Sequence, residues 1–218
     1  MRLVSGSELL RKARTEGYAI GAFSVHTAEM VQGVLEAAEE EKSPVLLQIG
    51  QRAIRYTGFA TLVNYIRHFG RNVSVPVAIH LDHGNSFEQA ILAIRHGFTS
   101  VMYDGSHTPL QHNIEVTRQV VKAARAAGVS VEGELGKIAG VEDDLSVSEE
   151  EAFLTDPSEA LEFVEQTGVD SLAVAIGSAH GLYKKTPKLD FDRIEEIYRL
   201  TRIPLVLHGG SGIPDEQI

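Results

Sequence analysis

Short apolar runs alternate along the chain with stretches of helical period. Tyr18–Phe23, Pro44–Ile49, Val75–Leu81, Thr99–Tyr103, Val129–Glu134, Val169–Ile176 and Ile203–Leu207 each read as a strand. Most are continuous apolar runs without strict alternation, the pattern of strands covered on both faces. Helical signals fall between them. Ser5 to Glu8 form a capping box ahead of Leu9, Leu10 and Ala13. Thr27 starts a helix whose Met30, Val31, Val34, Leu35 and Ala38 oppose Glu36, Glu39, Glu40 and Glu41. A weaker helical pattern covers Phe59 to Phe69, Ser86 with Gln89 caps a helix, and a long helix carries Val116, Val120, Val121 and Ala124. Asp156-Pro157 starts one more helix, and Asp192 with Glu195 another. Strands each followed by a helix predict a parallel sheet with right-handed crossovers in an α/β fold.

An open doubly wound sheet and a closed barrel share this alternation. An open sheet gathers its site at one switch point, commonly behind a glycine-rich first turn. Here the first turn, Ser24-Val25-His26-Thr27, has no glycine, and reactive residue types end strands three to seven. That distribution predicts the mouth of a TIM (β/α)8 barrel. Such a barrel needs an eighth strand, and the chain stops at Ile218 just after the seventh. The expectation is a single barrel domain over residues 1–218 from which strand eight onward is absent; if Ile218 is the true terminus the barrel is open between strands seven and one with two unpaired edges, and a truncated sequence is the preferred reading over a natural incomplete barrel.

Composition narrows the function. A net charge of −10 on 218 residues argues against nucleic acid or an anionic membrane surface as the main partner, so an anionic substrate would have to be held by local devices. The absence of cysteine rules out disulfides, thiolate zinc sites and a cysteine nucleophile. No signal-peptide core or bilayer-length apolar run is present, which predicts a soluble cytoplasmic protein with no membrane partner.

The candidate chemistry gathers in turns. The run Ala78-Ile79-His80-Leu81-Asp82-His83-Gly84 ends a strand in an aspartate and two histidines, which can serve as base and metal ligand, as base and orienter, or as a hydrogen-bonded turn. His83, His180 and His208 lie in glycine-flanked turns after strands three, six and seven, and three imidazoles with an open position is a catalytic zinc arrangement. His208-Gly209-Gly210-Ser211-Gly212 then leads into the helix start Pro214-Asp215-Glu216, where backbone N–H groups can bind phosphate. The acidic connection from Gly140 through Glu149-Glu150-Glu151 to Pro157 is too long for a turn, and reads either as a solvated loop or as a mobile lid carrying Glu142. Lys137, a conceivable Schiff-base former, reads as a solvated lysine.

The segments 78–84, 100–107, 131–136, 177–181 and 205–212 resemble the class II, metal-dependent ketose-bisphosphate aldolases that split fructose or tagatose 1,6-bisphosphate. The resemblance implies that His83, His180 and His208 hold a catalytic zinc (Zn2+) and that Asp82 transfers the proton. Asp104 and Glu134 match positions for a second divalent ion, and Glu142 matches a mobile-loop glutamate of the proton transfer. Gly181, Gly209, Gly210 and Ser211 match backbone phosphate contacts, with a monovalent cation (Na+ or K+) near Gly181 and Gly209. It further implies a phosphorylated sugar as substrate, fructose bisphosphate ahead of tagatose bisphosphate, and a homo-oligomer, dimer or tetramer. The chain departs from the family pattern at Ser24, where asparagine is usual, and at Gly50, near which a small hydroxyl residue is common. Two rival readings stand beside this one: a barrel metal hydrolase activating water on the same histidines, and a catalytically inactive fragment lacking strand eight. The His-x-His pair such hydrolases often carry on their first strand is missing here.

Overall fold

The computed structural model describes residues 1–142, 145–148, 152–181, 183 and 186–218. The chain divides into two compact units, Met1–Tyr103 with Gln119–Val131, and Asp104–Arg118 with Glu132–Ile218.

The first unit contains β1 (Arg2–Leu3), α1 (Gly6–Glu16), β2 (Gly21–Ser24), α2 (Ala28–Glu40), β3 (Val45–Ile49), α3 (Gln51–Thr57), α4 (Phe59–Phe69), β4 (Pro76–Gly84), α5 (Phe87–His96) and β5 (Ser100–Tyr103). Strands β2, β3, β4 and β5 lie side by side in sequence order, all parallel, and β1 pairs with the start of β4. The helix starts follow from their caps. Ser5 accepts from the Glu8 N–H, Thr27 from that of Met30 and Ser86 from that of Gln89. Beneath the strands Val4, Leu9, Leu46 and Ala78 form a buried cluster, closed by Ile20. The Glu39 carboxylate at the end of α2 binds the Lys42 ammonium and the Ser74 N–H and hydroxyl, which holds it well below its usual range, at about 2. This clamp ties the end of α2 to the segment that enters β4.

Helix α6 (Leu110–Ala126) and strand β6 (Ser130–Leu135) contribute residues to both units. The second unit continues with β7 (Ala139–Glu142), β8 (Leu145–Val147), α7 (Pro157–Thr167), β9 (Ser171–Val174), β10 (Ala179–His180), α8 (Phe191–Thr201) and β11 (Leu205–Val206). Strand β9 lies between β6 and β11, parallel to both. A second sheet has the order β10-β7-β8, with β7 and β8 antiparallel.

All seven strands expected from the apolar runs are present, and the differences have local causes. Part of the expected acidic loop is the β7–β8 hairpin, because β7 finds β10 as a parallel partner. The remaining acids of that stretch, Asp143, Asp144 and Glu149 to Glu151, lie outside the described residues, and with them the lid reading. Helix α8 is capped by Asp190, whose carboxylate accepts from the Arg193 N–H and pairs with its guanidinium, so the helix begins ahead of Asp192. The stretch after Pro214 is a 3-10 turn, Asp215–Gln217, not an α-helix start. Strand β2 departs from the two-sided covering: it pairs with β3, and Phe23 remains 53% exposed. Among the described residues no helix is long and apolar enough to cross a membrane.

Candidate active site

In the first unit the chemistry sits at the end of β4, where His80, Asp82 and His83 are all buried. The strand runs on to Gly84, past the expected stop at Leu81, but its register with β5 shifts between Leu81 and Gly84. Within that irregularity His83 adopts φ 43°, a left-handed conformation that a non-glycine residue takes only when its surroundings hold it. Gln51, at the start of α3, supplies one restraint: its Nε2 donates to the His83 carbonyl at 2.8 Å. Gln51 is itself locked to Gln89 by amide hydrogen bonds of 3.0 and 2.7 Å.

Gly84 supplies the other restraint. A Cβ there would lie 2.2 Å from the Met102 carbonyl oxygen and 2.8 Å from Leu81 Cδ2, so β5 can approach only because residue 84 has no side chain. Gly84→Ala is expected to destabilise the protein by about 1–3 kcal/mol, the range for overpacking a dense interior, read as a lowered denaturant midpoint.

Asp82 is held from β3. Gln48 Nε2 donates to Asp82 Oδ1 at 3.1 Å, fixing one oxygen of the carboxylate. Sequence reasoning missed Gln48, although it is the one polar residue in Val45-Leu46-Leu47-Gln48-Ile49 and could have been found on that ground. His80 is occupied elsewhere, its Nδ1 lying 2.8 Å from the Ser100 hydroxyl.

In the second unit the structure brings His180 and His208 together, their ring centroids 5.8 Å apart and tilted by 42°. His180 ends β10, and His208 follows β11 and is buried. Tyr183 joins the two turns: its hydroxyl accepts from the Ala179 N–H at 2.7 Å and donates to the Gly209 carbonyl at 3.0 Å. Gly209 has φ 73°, and a Cβ on it would sit 2.4 Å from the Ala179 carbonyl oxygen, so the close approach of these turns requires glycine. Gly210, Ser211 and Gly212 form a short 3-10 turn behind it, with Ser211 exposed, and Gly181 is exposed at φ 81°.

Glu132 and Glu134 are both buried on β6, two residues apart and therefore on one face. Gly133 between them faces the other way, since a Cβ there would meet the Phe163 ring of α7 at 2.5 Å. Asp104, just past β5, is buried, and its Oδ1 accepts from the Ser106 N–H at 3.0 Å and hydroxyl at 2.7 Å. Glu142 ends β7, and its side chain lies outside the described residues. Lys137 extends its ammonium over the Phe153 ring, 5.9 Å from the centroid.

Among the described residues, donor groups that could serve a metal ion are His83 in the first unit and Asp104, Glu134, His180 and His208 in the second. The chemistry of the histidine set fits a borderline-soft divalent cation. One ring nitrogen of His208 is taken by a carboxylate, Nε2 lying 3.0 Å from Glu132 Oε1, as is usual for a metal-ligating histidine.

The family model described as "Fructose-bisphosphate aldolase class-II" matches residues 4–218, and the chain belongs to that family. A fructose-bisphosphate aldolase of Geobacillus stearothermophilus is 53% identical over 221 residues, covering 100% of this chain and 76% of the relative. A sulfofructosephosphate aldolase of Alkalicoccus urumqiensis is 49% identical over 218 residues, covering 100% of this chain and 76% of the relative. The crystal structure of the YdjI aldolase from Escherichia coli K12 superposes with a TM-score of 0.87 at 39% identity, over 99% of this chain and 76% of that one. The fold is accordingly the α/β TIM-barrel type, and the protein is a class II, metal-dependent aldolase, a carbon–carbon lyase. The family implies a phosphorylated sugar as substrate.

Proposed function

We propose that the protein catalyses the reversible aldol cleavage of fructose 1,6-bisphosphate to dihydroxyacetone phosphate and glyceraldehyde 3-phosphate. The observation that carries the reading is the family match over residues 4–218, which takes in every candidate site residue. By the family membership, His83, His180 and His208 would hold the catalytic metal, zinc by the chemistry of three imidazoles, with Asp104 and Glu134 serving a second divalent ion. When bound, the metal supplies a Lewis acid toward the oxygens of the three-carbon ketone.

The chain's own groups do the rest. Asp82 takes the proton from the C4 hydroxyl; as the C4 carbonyl forms, the C3–C4 bond breaks and its electron pair passes into the enediolate of the three-carbon fragment. Gln48 holds Asp82 Oδ1 and so aims its second oxygen. Glu142 returns a proton to C3 of that enediolate, giving dihydroxyacetone phosphate. Backbone N–H groups at Gly181, Gly209, Gly210 and Ser211 receive a phosphate, with a sodium or potassium ion near Gly181 and Gly209, so a chain of net charge −10 binds a polyanion through local dipoles.

Relatives of nearly equal identity carry the names fructose-bisphosphate and sulfofructosephosphate aldolase, so the group at the far end of the sugar must be settled by assay. The test is cleavage of fructose 1,6-bisphosphate, tagatose 1,6-bisphosphate and sulfofructose phosphate, coupled to detection of dihydroxyacetone phosphate. The expected result is the highest kcat/KM on fructose bisphosphate. A higher value on either other sugar reassigns the substrate, and no triose release from any of them, in a protein with bound zinc, overturns the reading.

A further inference from the structure

We infer that Glu132 is a positioning residue that selects which ring nitrogen of His208 faces the metal. The inference rests on the proposal that His208 is a metal ligand. A carboxylate oxygen accepts hydrogen bonds, so the 3.0 Å contact between Glu132 Oε1 and His208 Nε2 places the imidazole proton on Nε2 and leaves Nδ1 as the ligand atom. Both side chains are buried, with relative exposures of 5% for Glu132 and 4% for His208, so the contact is shielded from competing water.

The local chain explains why such a restraint is needed. β11 has only two residues, Leu205–Val206, and His208 lies beyond it, immediately before Gly209 and Gly210. Backbone pairing therefore does little to orient the ring. Glu132, by contrast, sits inside β6, paired with Ser171 of β9, while Gly133 packs on Phe163 of α7. The strand thus carries the carboxylate and the turn carries the ring; Tyr183 fixes the turn's backbone through the Gly209 carbonyl, and Glu132 fixes the imidazole itself. Glu134, two residues on, shares the face but is a candidate ligand; the alternation Glu-Gly-Glu would divide one strand between a group that binds metal and a group that orients a ligand.

The experiment measures zinc affinity by chelator competition in the wild type, Glu132→Ala, Glu132→Gln and His208→Ala, with visible spectra of the cobalt-substituted proteins. Glu132→Ala is expected to bind zinc about 10–100-fold more weakly and to shift the cobalt bands, while Glu132→Gln, which keeps an acceptor oxygen, recovers most of the affinity. A purely structural role would lower the melting temperature of the metal-free protein without moving the cobalt bands. Long-range 1H–15N correlations on the zinc-loaded wild type give a readout that needs no variant to fold: a protonated Nε2 and a metal-bound Nδ1 on His208 are expected. The reverse assignment overturns the inference, as does a Glu132→Ala protein with an unchanged cobalt spectrum and zinc affinity within about twofold of wild type. If His208→Ala loses zinc and Glu132→Ala does not, the inference fails alone; if the wild type binds neither zinc nor cobalt, the metal assignment fails with it.

Discussion

Asp82→Ala is expected to lower kcat by roughly 10²–10⁴-fold, the usual contribution of a positioned general base, while the protein keeps stoichiometric zinc. Asp82 is 3% exposed, and its Oδ1 accepts from Gln48. Removing the carboxylate also strips the Gln48 amide of a buried partner at a cost of about 1–3 kcal/mol, so Asp82→Ala alone mixes lost chemistry with lost stability. Asp82→Asn separates the two: its amide oxygen can still accept from Gln48, yet it cannot take a proton. Both variants should therefore be inactive with zinc bound, and the asparagine protein should melt closer to wild type. Turnover of Asp82→Asn within about tenfold of wild type would remove Asp82 as the essential base, because it falls below the roughly 10²–10⁴-fold that a positioned general base typically contributes.

The strand-helix alternation and the residues at its turns were legible because both are local. Continuous apolar runs marked β3, β4, β5 and β9, and Ser5, Thr27, Ser86 and Asp156 cap the helices they were expected to cap. Helix α3 escaped because seven residues are too few for a 3.6-residue period to declare itself. The hairpin β7–β8 escaped because its stability comes from pairing with β10, and an acidic stretch without alternation gives no sign of that partner. The irregularity in β4 is of the same kind. Nothing in Leu81-Asp82-His83-Gly84 states that His83 takes a positive φ; that depends on Gln51 and on the Met102 carbonyl, which belong to other elements. In the candidate site, residue types and turns marked the histidines and Asp82 as candidates, whereas Gln48 and Glu132, which hydrogen-bond to Asp82 and His208, were visible only as polar interruptions of apolar strands. Glu132 shows why: its partner His208 lies 76 residues further along the chain.

Removing the metal is expected to cost as much as removing the base. A Lewis acid at the developing enediolate contributes several kcal/mol, and a loss of about 4 kcal/mol corresponds to roughly 10³-fold in rate, so dialysis against a chelator should take cleavage to background and zinc add-back should restore it. His208→Ala should reach the same background but resist add-back, because a ligand is gone. The comparison is informative only if the two proteins are equally folded, and His208→Ala leaves the buried Glu132 carboxylate without this donor. Melting curves of the metal-free forms control for that: the variant counts as a ligand loss if its apo form melts cooperatively and binds zinc far more weakly than the apo wild type. Full turnover by the chelated wild type would remove the metal from the mechanism and turn attention to an imine route. Lys137 is the lysine that route would test, by inactivation with borohydride in the presence of substrate. Its ammonium, turned over the Phe153 ring, argues against an amine presented to a ketone, so the expected outcome is chelator sensitivity without borohydride trapping.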